Sequence, residues 1–514
     1  MKKTYVLLLS CLVIFQAGCF DSFSKSKSDN KNLMLLLMAS TLQGPPSGAQ
    51  WARTVSAGTN DSTFISVAVD SSGNTYAAGN IYGIGTYDFG NGKTAQGMSS
   101  GSNLVLVKYN SSGIAQWAKT IVAGTSDSSF SSVTVDSSGN IYAAGYIKGT
   151  GSYDFGNGKT AQGTSGGSNI VLVKYDYTGT AQKAITVTSG TSDSSYSSVA
   201  VDSSGNIYAA GAIFGTGTYN FGNGKTATGT IGANNIVLVK YNSSGDAQWA
   251  NTTAGSNTSN FISVTTDSSG NIYAAGHIMG NGTYDFGNGK TTTGTFAAGA
   301  NILLVKYSSS GVAQWANTVT AGSNTSIFNS ITTDTSGNIY AAGIINGTGT
   351  YNFGNGKTVT GPSASINILL VKYNTSGIAQ WANTVTGGSS NSFFSSLTLD
   401  STGNIYAAGA ITGTGTYEFG NSVTAKGTYG NGSGIDYNIL LMKYNSSGVA
   451  QWAETISIGS NGSRFSSATM DATGNIYAAG SIQGTGTFDF GNSITATGTN
   501  SSGNQNNCLL VKYK

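Results

Sequence analysis

Few side chains in this 514-residue chain could do chemistry, and most of those recur at fixed intervals. Seven aspartates, Asp70, Asp136, Asp202, Asp267, Asp334, Asp400 and Asp471, share the context Asp-x-x-Gly-Asn. One carboxylate per turn lacks the several spaced oxygen ligands of a calcium loop. Asp first and Gly fourth instead suit a tight reversal, with the carboxylate bonding local N–H groups. A second acidic column reads Asp88, Asp154, Asn220, Asp285, Asn352, Glu418 and Asp489. A metal or general-acid role would not tolerate Asn in two copies. His277 is the single histidine, which excludes a His-based triad or a His metal cluster. Gly-Asn-Gly-Lys-Thr occurs five times, as in residues 90–94 and 354–358, and resembles the end of a phosphate loop. That loop needs glycine where Tyr87 and Tyr351 stand, and no helix follows. Asn91-Gly92 fits a two-residue type I′ hairpin better. No catalytic residue, metal site or cofactor is expected.

These positions recur because the chain recurs. Ala-Gln-Trp-Ala stands at Trp51, Trp117, Trp249, Trp315, Trp381 and Trp452, with Lys183 in the tryptophan's place in the third copy. The spacing is 66 residues five times and then 71. Within one copy, a β-rich run over 63–70 turns at 70–74 and returns over 75–80. A long Gly-rich connection leads to a strand over 104–109, a turn at 110–113 and a strand through Trp117. Four strands and two tight hairpins per repeat make a propeller blade. The expected fold is therefore all-β: a seven-bladed β-propeller of four-stranded antiparallel blades over residues 48–514. Aromatics repeat in every copy, from Phe64 and Tyr76 to Phe465 and Tyr477. They read as packing between blades that cannot bury their apolar faces alone. The repeat region opens on the fourth-strand motif at Trp51 and closes on the third-strand motif at Val511. The expectation is closure by pairing of the N-terminal strand with the last blade, which removes an exposed edge.

Residues 1–18 carry Lys2 and Lys3, an apolar run over 6–15 and then Gln16-Ala17-Gly18 before Cys19, the layout of a secretory signal. The run is shorter than the ~20 residues of a membrane span. Ala-Gly-Cys resembles a bacterial lipobox, with Gln16 in the usual apolar place, and this predicts a lipidated Cys19 at the head of a tether over 19–47. The apolar part of the tether, residues 33–42, suits either the membrane interface or the propeller surface. Cys508 would then be alone, filling the place of Ile170 and Ile302 as a small core hydrophobe. Outside the leader, 22 basic residues face 21 acidic ones without basic clusters, so no nucleic-acid partner is expected.

The pattern Asp-x-x-Gly-Asn-x-Tyr-x-x-Gly, then Asp-Phe-Gly-Asn-Gly, then Leu-Val-Lys-Tyr-Asn-x-x-Gly-x-x-x-Trp-Ala resembles the SBBP (seven-bladed β-propeller) repeat. With the leader, the chain resembles spirochaetal SBBP-repeat lipoproteins. The resemblance implies the architecture and carries no enzymatic signature. The expected protein is a monomeric, non-enzymatic propeller held at the cell envelope, in the outer membrane and surface-exposed, by its N-terminal lipid. Its partner would be a protein or a glycan. A carbohydrate-active enzyme using two carboxylates is the first alternative, and a purely structural envelope scaffold is another. Departures from the repeat, namely Lys183, His277, Arg464 and the insertion over 429–437, fall in different repeats. In an antiparallel blade the two short turns share one end, and the variable connections share the other. Recognition is expected on the variable end. The sixth-blade insertion, with Tyr429, Asp436 and Tyr437, is the first candidate for ligand contact.

Overall fold

The computed structural model describes residues 48–58, 60–388, 390–431, 436–500 and 505–514. The signal and tether, with Cys19, lie outside the described residues. The described chain forms seven four-stranded antiparallel sheets, each accompanied by a two-stranded hairpin, and contains no helix. This is the seven-bladed propeller expected from the period.

After β1 (Ala49–Thr54), blade 1 is built from β2 (Ser62–Val69), β3 (Thr75–Tyr82), β6 (Ser102–Tyr109) and β7 (Ala115–Lys119), paired in that order. Between β3 and β6, the hairpin of β4 (Thr86–Asp88) and β5 (Thr94–Gln96) turns at Asn91 and Gly92, with φ of 55° and 65°. The left-handed pair matches the type I′ turn read from the sequence. β2 and its counterparts in the other blades lie side by side around the ring, so the first strand of each blade is innermost. The seventh blade consists of Ser463–Met470, Ile476–Gln483, Asn506–Tyr513 and, on the outside, β1. Trp51 pairs with Lys512 beside a bulge at Gln50, just as Trp117 pairs with Lys108 beside a bulge at Gln116. β1 is thus the seventh outer strand, supplied from the other end of the chain.

The apolar cores lie between blades. Seven clusters fill the seven seams; one joins Phe64, Val105 and Tyr109 of blade 1 to Tyr477, Cys508 and Leu510 of blade 7. Burial pushes the Cys508 thiol up to about 12, an inert core sulfur. Two rings of serines stitch the same seams. Ser66, Ser132, Ser198, Ser263, Ser330, Ser396 and Ser467 each accept the N–H of a neighbouring innermost strand, at 3.0–3.2 Å. Ser62, Ser128, Ser194, Ser259, Ser326, Ser392 and Ser463 each accept a third-strand N–H of the blade before. Both rings close across the chain's ends, through Ser467 to Val67 and Ser62 to Cys508. An orphaned buried N–H costs about 1–3 kcal/mol, so these hydroxyls act structurally.

Each innermost strand carries a bulge, at Ile65 in blade 1, that brings the Thr63 carbonyl over Gly79. A methyl group at Gly79 would lie well inside van der Waals contact with that oxygen, which explains the glycine in every Ala-Ala-Gly. The turn aspartates behave as caps. Asp70 Oδ1 accepts the N–H of Ser72 and of Asn74, and Oδ2 accepts Asn74 Nδ2 and Tyr76 Oη.

Candidate functional site: the rim of the axial channel

Each blade has two ends. One carries the short turns around Asp70 and Asn110; the other carries the second-to-third-strand connections and the links between blades. The innermost strands start at the connection end, and their second residue stands at the channel rim. That column reads Thr63, Ser129, Ser195, Asn260, Ile327, Phe393 and Arg464. It is small and polar through blades 1–3, then apolar, aromatic and cationic through blades 5–7. Sevenfold symmetry therefore breaks at the rim.

Two adjoining cavities mark the break. The larger, about 410 Å³, spans blades 6, 7 and 1 and is walled by Phe393, Arg464, Asp61, Thr63, Asn80 and Tyr82, among others. The smaller, about 150 Å³, lies where blade 6 meets blade 7 and is lined by Tyr437, Gly462, Ser463, Arg464, Ser481, Gln483 and Asn506. Arg464 and Asn506 belong to both. The smaller cavity has a local cause. Asp127, Asp193 and Asn391 each accept the first N–H of the previous blade's third strand, at 2.8–3.1 Å, and Asp61 does the same for Asn506. Blade 7 has Gly462 at that position and cannot fill the space. The Tyr437 ring meets Phe393 edge to face, with centroids 5.4 Å apart. The Arg464 guanidinium has no hydrogen bond or ion pair among the described residues.

The three insertion residues singled out in the sequence separate, and Tyr437 belongs not to the loop but to the first position of the third strand, Tyr437–Tyr444, opposite Thr412. Tyr437 lines the smaller cavity. Asp436 is 3% exposed, its carboxylate accepting the Asn431 N–H and its carbonyl the Gly413 N–H, so it folds the loop. Tyr429 is half-buried; its hydroxyl accepts Asn431 Nδ2 and its backbone is tied to the Asn438 amide. Residues 432–435 of this insertion are not among the described ones. The connections are more regular than their Gly-rich composition implies. Besides the hairpin, Asn103 accepts the N–H of Met98 and Ser99 and donates to the carbonyls of Gly83, Ser99 and Gly101, and an asparagine stands there in every blade.

The departures Arg464 and Tyr437, from different repeats, share one wall; the other two lie apart. Lys183 sits on an outer strand, where its Nζ donates to the Ser244 carbonyl and pairs with Asp246 at 3.0 Å. It replaces the indole bond that Trp249 makes to Ser309 one blade further on. His277 faces Asn260 in blade 4, and burial pulls its imidazole down to about 4, so it is neutral at ordinary pH.

The turn end is already satisfied. A cavity of about 210 Å³ there is lined by Asp136, Tyr142, Lys174 and Asp202. Burial pushes the Asp136 carboxyl up, but bonds from Asn140, Tyr142 and Ser138 outweigh it and hold it below the usual carboxylate range. Lys174 Nζ lies 5.5 Å from the centroid of the Tyr142 ring and donates to the Ser243 carbonyl. No group of three His, Cys, Asp or Glu side chains is placed to hold a metal among the described residues. Asp61 is the one carboxylate lining the two rim cavities.

Phe393, Gly462, Gln483 and Asn506 were not apparent as site residues in the sequence. Comparing columns, rather than repeats, would have shown Phe and Arg among Ser, Thr and Asn, and Gly among Asp, Thr and Asn.

No protein-family model and no curated protein matches this chain. Solved structures similar over most of it include the WD40 repeats of RRP9, at 8% identity and TM-score 0.46, covering 91% of this chain and 99% of that one. Polysaccharide lyase Uly1 matches at 11% identity and TM-score 0.44, over 93% and 95% of the two chains. A polysaccharide lyase PL25, an ulvan lyase, matches at 12% and 0.39, over 85% and 93%. At these identities and scores the likeness concerns the fold and carries no argument about a ligand.

Proposed function

We propose that this protein is a lipid-anchored propeller of the cell envelope, of the SBBP-repeat lipoprotein kind, that binds a protein or glycan on its connection end. One observation carries the binding part. The residues that break sevenfold symmetry on the inner strands, Phe393 and Arg464, meet Tyr437, which opens the sixth blade's third strand just after the lengthened connection, at one place on the rim. A scaffold alone has no need of that convergence. An aromatic pair beside an unpaired guanidinium is a recognition surface, whereas carboxylate hydrolysis needs two acids in distinct environments. The binding part is tested by probing a glycan array and extracellular proteins with the full chain in detergent. For any ligand found, Phe393→Ser should weaken binding tenfold or more, and Ser336→Arg on the turn end should leave it unchanged; the reverse pattern sinks the proposed face.

The anchor rests on the leader residues. No described helix is long and apolar enough to cross a membrane. Stable attachment by lipid requires two or more acyl chains. Cys19→Ser should move the protein from the detergent to the aqueous phase in a Triton X-114 partition. Retention in detergent would place the anchor elsewhere, with residues 33–42 the next segment to remove.

A further inference from the structure

Resting on that binding reading, we infer that the cavity at Gly462 is a subsite for a carboxylate-bearing sugar, a uronic acid unit of an acidic glycan. The cation comes first. Arg464 is the one cationic side chain among those lining the two rim cavities, and it has no partner among the described residues. A half-buried guanidinium presents a planar fork suited to a carboxylate, and such charge-assisted pairs are about twice as strong as neutral ones. The remaining lining suits a sugar. Gln483, Asn506 and Ser481 offer amide and hydroxyl groups for ring hydroxyls, and Tyr437 stands edge-on to Phe393 as an apolar wall. The smaller cavity, about 150 Å³, shares Arg464 and Asn506 with the larger one of about 410 Å³, which places room for a neighbouring sugar unit beside the bound one.

A peptide added as an extra strand fits less well. One N–H of each innermost strand is already bonded to a serine of the blade before, as Val67 is to Ser467 and Leu397 to Ser330. Asp61 walls only the larger cavity, and its Oδ1 is engaged by the Asn506 N–H, so the smaller one holds no competing carboxylate.

Gly462 also supplies a gentle test. Its φ lies outside the left-handed region, and an added Cβ would meet only the end of the Gln483 side chain. Blades 1–3 carry aspartate at this position, so Gly462→Asp fits the fold while filling the cavity with a carboxylate. Arg464→Ser reproduces the residue of blades 2 and 3. Titrations of the full chain in detergent would use oligogalacturonate, a neutral galactose oligosaccharide and oligoglutamate, with melting followed in parallel. The expected result is preference for oligogalacturonate, lost at least tenfold in either variant with melting unchanged. The subsite is overturned if the neutral sugar binds equally well, or if Arg464→Ser binds oligogalacturonate as the parent does. Equal, Arg464-dependent binding of oligoglutamate overturns the sugar assignment. Absence of any saccharide binding overturns the inference, while the broader reading stands if another ligand depends on Phe393.

Discussion

Deletion of residues 48–56 is expected to open the ring and destroy its cooperative melting. β1 gives the seventh blade its outer strand, and with it Trp51 enters the seam between blades 7 and 1 and Ala49 and Ala52 the seam between blades 6 and 7. The Trp51 indole also donates to the Ser111 carbonyl, and Arg53 Nε to the Gly113 carbonyl, tying blade 7 to blade 1. Losing one buried tryptophan costs about 3–5 kcal/mol. Losing the whole strand also frees the ladder groups of Leu509–Tyr513, a ready edge for aggregation. Net stability of folded domains is about 5–15 kcal/mol, so a loss of this size is expected to be decisive. Thermal melting with size exclusion reads the outcome. A monomeric truncation with the parent's melting curve would contradict closure by β1.

Gly343→Ala is expected to cost about 3 kcal/mol, as overpacking against backbone does. The new methyl would press on the Ile327 carbonyl oxygen at the bulge of the innermost strand, where neither atom has room to move. That bulge orients Ser330, whose hydroxyl accepts the Leu397 N–H of the next blade, so damage should spread across the seam. Gly356→Ala is the control, because no heavy atom outside its own chain neighbours lies within 4 Å of its added methyl and its φ is +68°. The left-handed backbone alone costs about 1–2 kcal/mol there. Urea unfolding of both variants separates the two causes. Equal costs would show that the bulge tolerates a side chain.

The fold was legible because its determinants repeat in register. Asp70 with Gly73 and Asn91 with Gly92 are local patterns whose geometry follows from residue type, while the pairing of the Trp51 strand with the strand through Val511 follows from the repeat starting one strand out of phase, and the structure realises each. The serine rings were not legible. Their bonds run from one repeat to the next, and a serine column looks like solvent-facing filler until its neighbour's N–H is in view. The rim site was only half legible, for the same reason. Arg464 and Tyr437 were visible as departures but fell in different repeats, and only the ring brings them to one wall. Asp436 was drawn in by its place in the insertion, yet its burial and its bond from Asn431 give it a loop-building task.

The central claim, that recognition uses the rim where blades 6, 7 and 1 meet, is tested most directly by where a ligand touches the protein. A photoreactive phenylalanine analogue can replace Phe393 at the rim and, separately, Ser336 on the turn end of blade 5, in the full chain exposed to its binding ligand. Covalent adducts at position 393 and none at 336 are the predicted result. Adducts at 336 with none at 393 would contradict it.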